Sequence, residues 1–361
     1  MNAPPRRRWL ATAAGFAAAS TPFGRVAAQD EYGDAALRGA GSTFVQPLME
    51  AWVRQYRDDP HDVLRFGGRP ESGFSGSVSG DGLDYEPVGS LAGIQRIRAG
   101  FVDFAASEMP LGDDALRRGG LLQFPWVVGA VAIVAAPPDG GGPLQLDVAT
   151  LAGLMMGRIT RWSDPAVAAL NPDRRLPDQP VTVVHRSDGS GTTYTVARYL
   201  ADRDPQWQAK LGADLLLKWP VGVGAKGGDG MVRALQATRH AIGYVNAVQA
   251  RRAGLPMVAL RNAAGRFVLP EAAGVAAALA GRQPGRGGVL PIDAPGDASY
   301  PLVATVFGLM RNPIGSARQR RTAAFVRWSL AQGAPLADRL GYVSLPAPLA
   351  KATIAQLLPD T

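Results

Sequence analysis

Cysteine is absent from all 361 residues, and histidine occurs only at His61, His185 and His240. No disulfide and no thiolate metal site is therefore available, and an oxidising compartment poses no problem for the chain. Charged residues are sparse at 19%. Long apolar runs are missing too: the longest, FPWVVGAVAIVAA (124–136), falls short of the roughly 20 residues a helix needs to cross a bilayer. What is plentiful is hydrophobic side chain, at 47%, enough to bury a core rather than remain disordered. A chain of 361 residues allows one large domain or two ordinary ones. The net charge of +8 invites a nucleic-acid reading. However, Arg6, Arg7, Arg8 and Arg25 sit in a leader-like segment and the other arginines are scattered, which argues against nucleic acid as a partner.

The N-terminus carries that leader. Arg6-Arg7-Arg8-Trp9-Leu10 precedes an apolar, alanine-rich run to Ala19, and Val26-Ala27-Ala28 stands before Gln29. A charged region, a short apolar stretch and a small-residue cleavage site make residues 1–28 the expected signal peptide. The paired arginines suggest the twin-arginine route, which exports folded proteins. The mature chain is thus expected to be soluble and periplasmic.

Beyond the leader, Val45, Leu48, Met49, Trp52, Val53 and Tyr56 repeat at helical spacing, with Ser42 or Thr43 as the expected N-cap. Residues 67–83 are rich in Gly and Ser and read as a loop, most simply a surface connection. Ser90 is placed to cap a short helix ending near Gly100, and Val102–Glu108 reads as a short buried strand ending in polar residues. Residues 181–245 alternate strand with helix, which indicates α/β layers with a parallel sheet. Two long apolar strands, 124–136 and Tyr300–Met310, bracket that region, and 316–332 is a helix. The expectation is an α/β chain of two lobes, with the backbone crossing between them and returning.

Three places repeat one local design, a small-residue turn, a hydroxyl and a helix start. They are Gly41-Ser42-Thr43-Phe44, Gly89-Ser90-Leu91 and Gly189-Ser190-Gly191-Thr192. Helix N-termini favour anions, because their unpaired N–H groups and their dipole both attract negative charge. One such turn is ordinary capping; three, with an arginine beside one, exceed what capping requires. Arg186 offers a planar fork of donors suited to a tetrahedral oxyanion, and Asp188 is placed to hold that guanidinium.

These segments resemble the periplasmic phosphate-binding protein of the bacterial phosphate-specific ABC transporter. The resemblance runs through GAGSTF (39–44), VGSLAGI (88–94), VDFAASEMPL (102–111), QFPWVVG (123–129), ITRWSDPAVAALNP (159–172), VVHRSDGSGTT (183–193), KWPVGVGAKGGDG (218–230), AIGYV (241–245) and LGYVSLP (340–346). It implies a type II periplasmic binding protein, each lobe a mixed sheet flanked by helices. Lobe 1 would comprise 29–129 plus 304–361 and lobe 2 would comprise 130–303. The hinge strands would lie near Val128–Ala130 and Leu302–Ala304.

Carried over by position, the implied phosphate contacts are Thr43, the Phe44 N–H, Ser90, Arg186, Ser190, Gly191 and Thr192, with Asp188 behind Arg186. Glu108 stands where the family usually has aspartate. A carboxylate there tells phosphate from sulfate: HPO₄²⁻ brings a proton to donate, whereas sulfate would face an unpaired, repelling anion. A site built around such a hydrogen bond rejects the analogue lacking it by roughly 10⁴–10⁵-fold. Glutamate keeps the acceptor but adds a methylene, so phosphate specificity is expected to survive with weaker affinity. The resemblance further implies a monomer that serves inner-membrane permease subunits and needs no cofactor or metal.

Competing readings are a binding protein for another oxyanion such as phosphonate or sulfate, and a secreted phosphatase using Ser190 with His185. The second is disfavoured because adjacent strand residues point to opposite faces, so His185 turns away if Arg186 faces the cleft. Gly189-Ser190-Gly191 also lacks the nucleophile-elbow pattern. Gly222-Val223-Gly224-Ala225-Lys226-Gly227 matches a dinucleotide fingerprint but lacks its acidic partner, so it reads as a loop before a helix capped by Asp229.

Overall fold

Two long apolar strands organise the chain. In the computed structural model, which describes residues 36–57, 78–80, 82–136, 142–281 and 292–358, the strands in chain order are as follows. They are β1 Leu37–Gly41, β2 Val78–Gly80, β3 Leu83–Glu86, β4 Phe104–Ser107, β5 Leu121–Ala135 and β6 Gln145–Leu146. The remainder are β7 Thr182–Arg186, β8 Val223–Ala225, β9 Ala241–Asn246, β10 Ala259–Arg261, β11 Phe267–Val268 and β12 Val303–Arg311. Nine of them hydrogen-bond in the order β2-β3-β1-β4-β12-β5-β9-β7-β8, and a small second sheet runs β11-β10-β6. The leader expected over 1–28 and His61 lie outside the described residues.

The 15-residue β5 serves both halves of the large sheet. Its first part, Leu121 to Ala130, pairs antiparallel with β12, and its second part, Val131 to Ala135, pairs antiparallel with β9. It is buried without interruption from Trp126 to Ala135 because both faces are covered, which is why it reads as a continuous apolar run rather than an alternating one. Around β5 the chain forms two lobes, each a mixed sheet flanked by helices, within one compact unit.

An aromatic cluster anchors the first lobe. The helix Gln46–Arg57 buries Leu48, Met49, Trp52, Val53 and Tyr56, as its spacing predicts. Trp52 stacks on Trp126 of β5 at 5.6 Å, and Tyr56 meets Phe325 and Trp328 edge-on at 5.2 and 5.0 Å. Each indole N–H finds an acceptor, Trp52 on the Gly333 carbonyl (2.9 Å) and Trp126 on Ser329 Oγ (2.8 Å). Burying each of these large side chains contributes about 1.5–3 kcal/mol, which fixes the helix against the sheet.

This packing aims one end of the sheet at the cleft. β1 is parallel to β3 and β4, and β7 is parallel to β8 and β9, so their carboxyl ends all open toward turns that start helices or loops. In open α/β sheets, ligands sit outside the carboxyl ends of the strands.

Four local expectations differ from what is found. The stretch read as a Gly/Ser loop ends in β2, which pairs antiparallel with β3 from Val78↔Tyr85 to Gly80↔Leu83, because the backbone of an edge position can take up the free hydrogen-bonding side of β3 whatever its composition. The rest of that stretch up to residue 77 lies outside the described residues. Neither Ser42 nor Thr43 caps the helix Gln46–Arg57, since Val45 precedes its first residue. Ser90 is the first residue of the helix Ser90–Ala99 rather than its cap, a place taken by Gly89. Asp229 lies inside the first turn of the helix Gly227–Ala237, accepting from Gln249 Nε2 at 3.1 Å, and Lys226 is the N-cap.

Candidate functional site

β7 delivers Arg186 into the interior. Its side chain is buried, and a chain of contacts fixes it from behind. The Arg186 backbone N–H donates to Tyr244 Oη (3.0 Å), and that phenol pairs with Thr193 Oγ1 (2.7 Å), tying strand to helix. Asp188 Oδ1 accepts from Arg186 Nε at 2.6 Å, and Oδ2 accepts from Nη2, so one carboxylate grips two edges of the guanidinium. The Gly227 N–H adds a bond to Asp188 Oδ1 at 3.0 Å. Burial would raise the Asp188 carboxyl, but the hydrogen bonds and charge of Arg186 outweigh it and hold the group below its ordinary value. What remains of the fork is Nη1, and it donates to Thr43 Oγ1 in the opposite lobe at 3.1 Å.

Glu108 follows β4 and is buried, 1% exposed. Both of its oxygens accept from serines: Oε1 from Ser42 Oγ and Oε2 from Ser90 Oγ at 2.8 Å. Burial pushes this carboxyl up from its ordinary value, while the bonds from Ser42 and Ser90 and the charge of Arg186 hold part of that rise back.

The two serines are themselves loaded by backbone donors. The Phe44 N–H donates to Ser42 Oγ (3.0 Å), and the Gly191 N–H, from the other lobe, donates to Ser90 Oγ (3.2 Å). Two of the backbone donors that sequence reasoning aimed at a ligand are therefore turned toward serine hydroxyls. Gly191 admits no side chain here, since a Cβ would stand 1.5 Å from Glu108 Oε2 and 2.5 Å from Ser90 Oγ.

The third turn starts the helix Gly191–Ala201. Ser190 caps it, accepting from the Thr193 N–H at 3.1 Å, and Thr192 lies buried in its first turn. The positive end of the helix dipole therefore faces the same cleft as Thr43 and Arg186, with the Gly191 N–H already on Ser90 Oγ and the Thr193 N–H on Ser190 Oγ. The three turns and Arg186, Asp188 and Glu108 thus come together. His185 does not join them. Its ring stacks on Trp219 at 5.0 Å, and Nδ1 lies 3.1 Å from the Arg186 carbonyl, so no Ser190–His185 nucleophile pair forms.

Sequence reasoning missed the residues that hold the first turn. The Phe44 carbonyl accepts from Asn246 Nδ2 (2.6 Å) and from Tyr342 Oη (2.7 Å), and the Ser42 carbonyl accepts from Tyr85 Oη (2.8 Å). Their only sequence signals are a polar Asn246 closing an apolar strand and Tyr342 among apolar neighbours, where buried polar groups require a partner, while Tyr85, between Asp84 and Glu86, carries none. Among the described residues no cluster of three or more His, Asp or Glu could hold a metal ion, and no helix is long and apolar enough to cross a membrane.

Known proteins resemble this chain in sequence and in fold. A PBP superfamily domain model matches residues 26–332. The phosphate-binding protein PstS of Xylella fastidiosa is 35% identical over 320 residues, covering 87% of this chain and 83% of that protein. Among solved structures, a high-affinity periplasmic phosphate-binding protein with bound phosphate superposes with a TM-score of 0.67 at 21% identity, over 89% of this chain and 93% of its own. A phosphate-binding protein from Stenotrophomonas maltophilia superposes with a TM-score of 0.65 at 19% identity, over the same shares.

Proposed function

The chain belongs to the PstS family of phosphate-binding proteins within the PBP superfamily, and from that premise we propose how its own residues take phosphate. It is a solute-binding protein that captures inorganic phosphate with high affinity outside the cytoplasmic membrane and delivers it to an ABC importer; it is not an enzyme. One phosphate lies between the lobes, facing Arg186 and Thr43 on one side and the start of the helix Gly191–Ala201 on the other. Thr43, Phe44, Ser90, Glu108, Arg186, Ser190, Gly191 and Thr192 line that place, and Asp188 orients Arg186.

The observation that carries this reading is the bond from Arg186 Nη1 to Thr43 Oγ1 across the cleft, with the other edges of the same guanidinium held by Asp188. A preorganised arginine costs little ordering entropy on binding, and each charge-assisted bond it makes to an oxyanion contributes about 1.5–3 kcal/mol. Several such bonds in a closed, dehydrated cleft account for micromolar or tighter binding. Phosphate stabilises the closed form because both lobes contact it only there. The hinge falls where β5 and β12 pair at Gly129↔Ala304 and Ala130↔Val303. On either side of it stand lobe 1 (29–129 with 304–361) and lobe 2 (130–303). The protein acts as a periplasmic monomer, and its closed form docks on the importer's membrane permeases.

Calorimetric titration of ligand-stripped protein with phosphate, sulfate and methylphosphonate at neutral pH tests this. One-to-one phosphate binding with sulfate silent is the expected result. Sulfate or methylphosphonate binding with phosphate silent would overturn it and assign the site to another oxyanion.

A further inference from the structure

Ser42 stands at a junction that a helix cap does not need. Its oxygen accepts the Phe44 N–H at 3.0 Å, and its single proton is directed at Glu108 Oε1. A hydroxyl has one proton and two lone pairs, so it accepts the backbone N–H and still donates to the ionised carboxylate, which can only accept. Ser90 repeats the pattern from the other side, accepting the Gly191 N–H and donating to Oε2 at 2.8 Å. Glu108 is therefore held by two donors, one per oxygen, with lone pairs remaining on each.

A glutamate has one more rotatable bond than an aspartate, and that freedom would have to be lost again for a directed hydrogen bond to a ligand. The Ser42 hydroxyl removes it. We propose that Ser42 is a specificity-determining residue: by anchoring Glu108 Oε1 it fixes the glutamate as a proton acceptor, so that the closed cleft takes a tetrahedral oxyanion that brings its own proton and refuses one that does not. This deepens the phosphate reading above and rests on it.

The surroundings leave this task to the two serines, and only Ser42 reaches Oε1. From β7, the charge of Arg186 favours the ionised Glu108, and Asp188 offsets part of that charge at close range. From β3, Tyr85 donates to the Ser42 carbonyl, and Tyr342 donates to the Phe44 carbonyl; both phenols are buried and titrate far above neutrality. Burial drives Glu108 toward its neutral form, and the bonds from Ser42 and Ser90 oppose that drive. Without the hydroxyl, the carboxyl takes up a proton at higher pH and becomes a donor, able to pair with an oxyanion that has none.

The test is calorimetry with phosphate and with sulfate, from about pH 5 to about pH 8, on the wild type, Ser42→Ala and Ser42→Thr. Sulfate stays fully ionised over that range, so any pH dependence of its binding reports the protein. Ser42→Ala is expected to lower the phosphate-to-sulfate affinity ratio by about tenfold or more, the worth of one charge-assisted bond. It should also move the onset of sulfate binding to higher pH, and Ser42→Thr should restore the wild-type profile. A Ser42→Ala protein whose ratio and pH profile match the wild type would overturn the inference. So would equal loss of both anions, which marks a merely structural role. Wild-type protein silent to phosphate would overturn the family reading first and this inference with it, whereas wild-type phosphate binding with an unmoved Ser42→Ala ratio would overturn this inference alone.

Discussion

Asp188 holds Arg186 by two parallel bonds, Nε to Oδ1 at 2.6 Å and Nη2 to Oδ2, which leaves Nη1 facing Thr43 across the cleft. The arginine is thus presented edge-on, with its charge only partly spent. Arg186→Ala removes the cation and its share of the directed bonds. Phosphate affinity is expected to fall by roughly 10²-fold or more, since two such bonds contribute about 3–6 kcal/mol. The fold should persist, because Asp188 keeps the Gly227 N–H and lies at the edge of the cleft rather than in either core. Calorimetry with near-ultraviolet circular dichroism checks both parts. Unchanged phosphate affinity would remove Arg186 from the site.

Asp188→Asn keeps the shape but loses the charge that orients the guanidinium. A fall in phosphate affinity of about tenfold is expected, and adding Asp188→Asn to Arg186→Ala should cost little further, because the two act as one unit. The pH dependence follows from the carboxyl being held below its ordinary value by Arg186. A group depressed in the folded state contributes stability that is present above its unfolded value, about 3.9, and is lost as pH falls through the lower folded value. The wild type should therefore lead Asp188→Asn in melting temperature at neutral pH, and the gap should close in acid. A gap that persists at low pH would show that the aspartate's contribution is not its charge.

The large features of this site were legible in the sequence because they are local. A turn of Gly, hydroxyl and Gly ahead of a helix is written in consecutive residues, and so is the apolar continuity of β5 and β12 that carries the backbone between lobes. The Arg186–Asp188 pair spans two residues and was readable for the same reason. The network around Glu108 was not. Ser42 lies 66 residues from Glu108 and Asn246 lies 202 from Phe44, so only the folded sheet brings them within hydrogen-bond reach. Ser42 and Ser90 looked like caps because capping is the commonest local use of a serine before a helix. Their hydroxyls instead answer a buried carboxylate, whose demand for donors exceeds that of a helix end.

Glu108→Gln separates the carboxylate's charge from its shape. The amide can donate to any oxyanion, so sulfate binding should strengthen and the phosphate-to-sulfate ratio should fall by about tenfold or more. Stability carries the opposite sign from Asp188. Burial raises the Glu108 carboxyl in the folded protein, so its favourable contribution is full below the unfolded value, about 4.3, and is lost as pH rises through the raised folded value. Ionised Glu108 therefore costs stability near neutrality. The melting temperature of Glu108→Gln should gain on the wild type by on the order of 1–3 °C between pH 4 and pH 7, as read by calorimetric scanning. A gap that shrinks over that interval would contradict the assignment.

Closure itself depends on how nearly the lobes can approach at one point. The Leu91 N–H donates to the Gly189 carbonyl at 3.2 Å, and a Cβ on Gly189 would meet Leu91 Cβ at 2.3 Å and Cδ2 at 2.8 Å. The Leu91 Cβ is attached directly to the backbone and cannot swing aside, so Gly189→Ala must hold the lobes apart. Gly189 lies outside the cores and Leu91 is partly buried at the rim of one, so the folded lobes should survive the change at Gly189. Small-angle scattering should show the wild type contracting on phosphate addition and Gly189→Ala failing to contract, with affinity reduced by roughly 10²-fold because contacts from the second lobe are lost. Leu91→Gly in the same chain removes the opposing Cβ and should restore both contraction and affinity. Contraction in Gly189→Ala alone would show that the lobes close by another path and that this contact does not limit them.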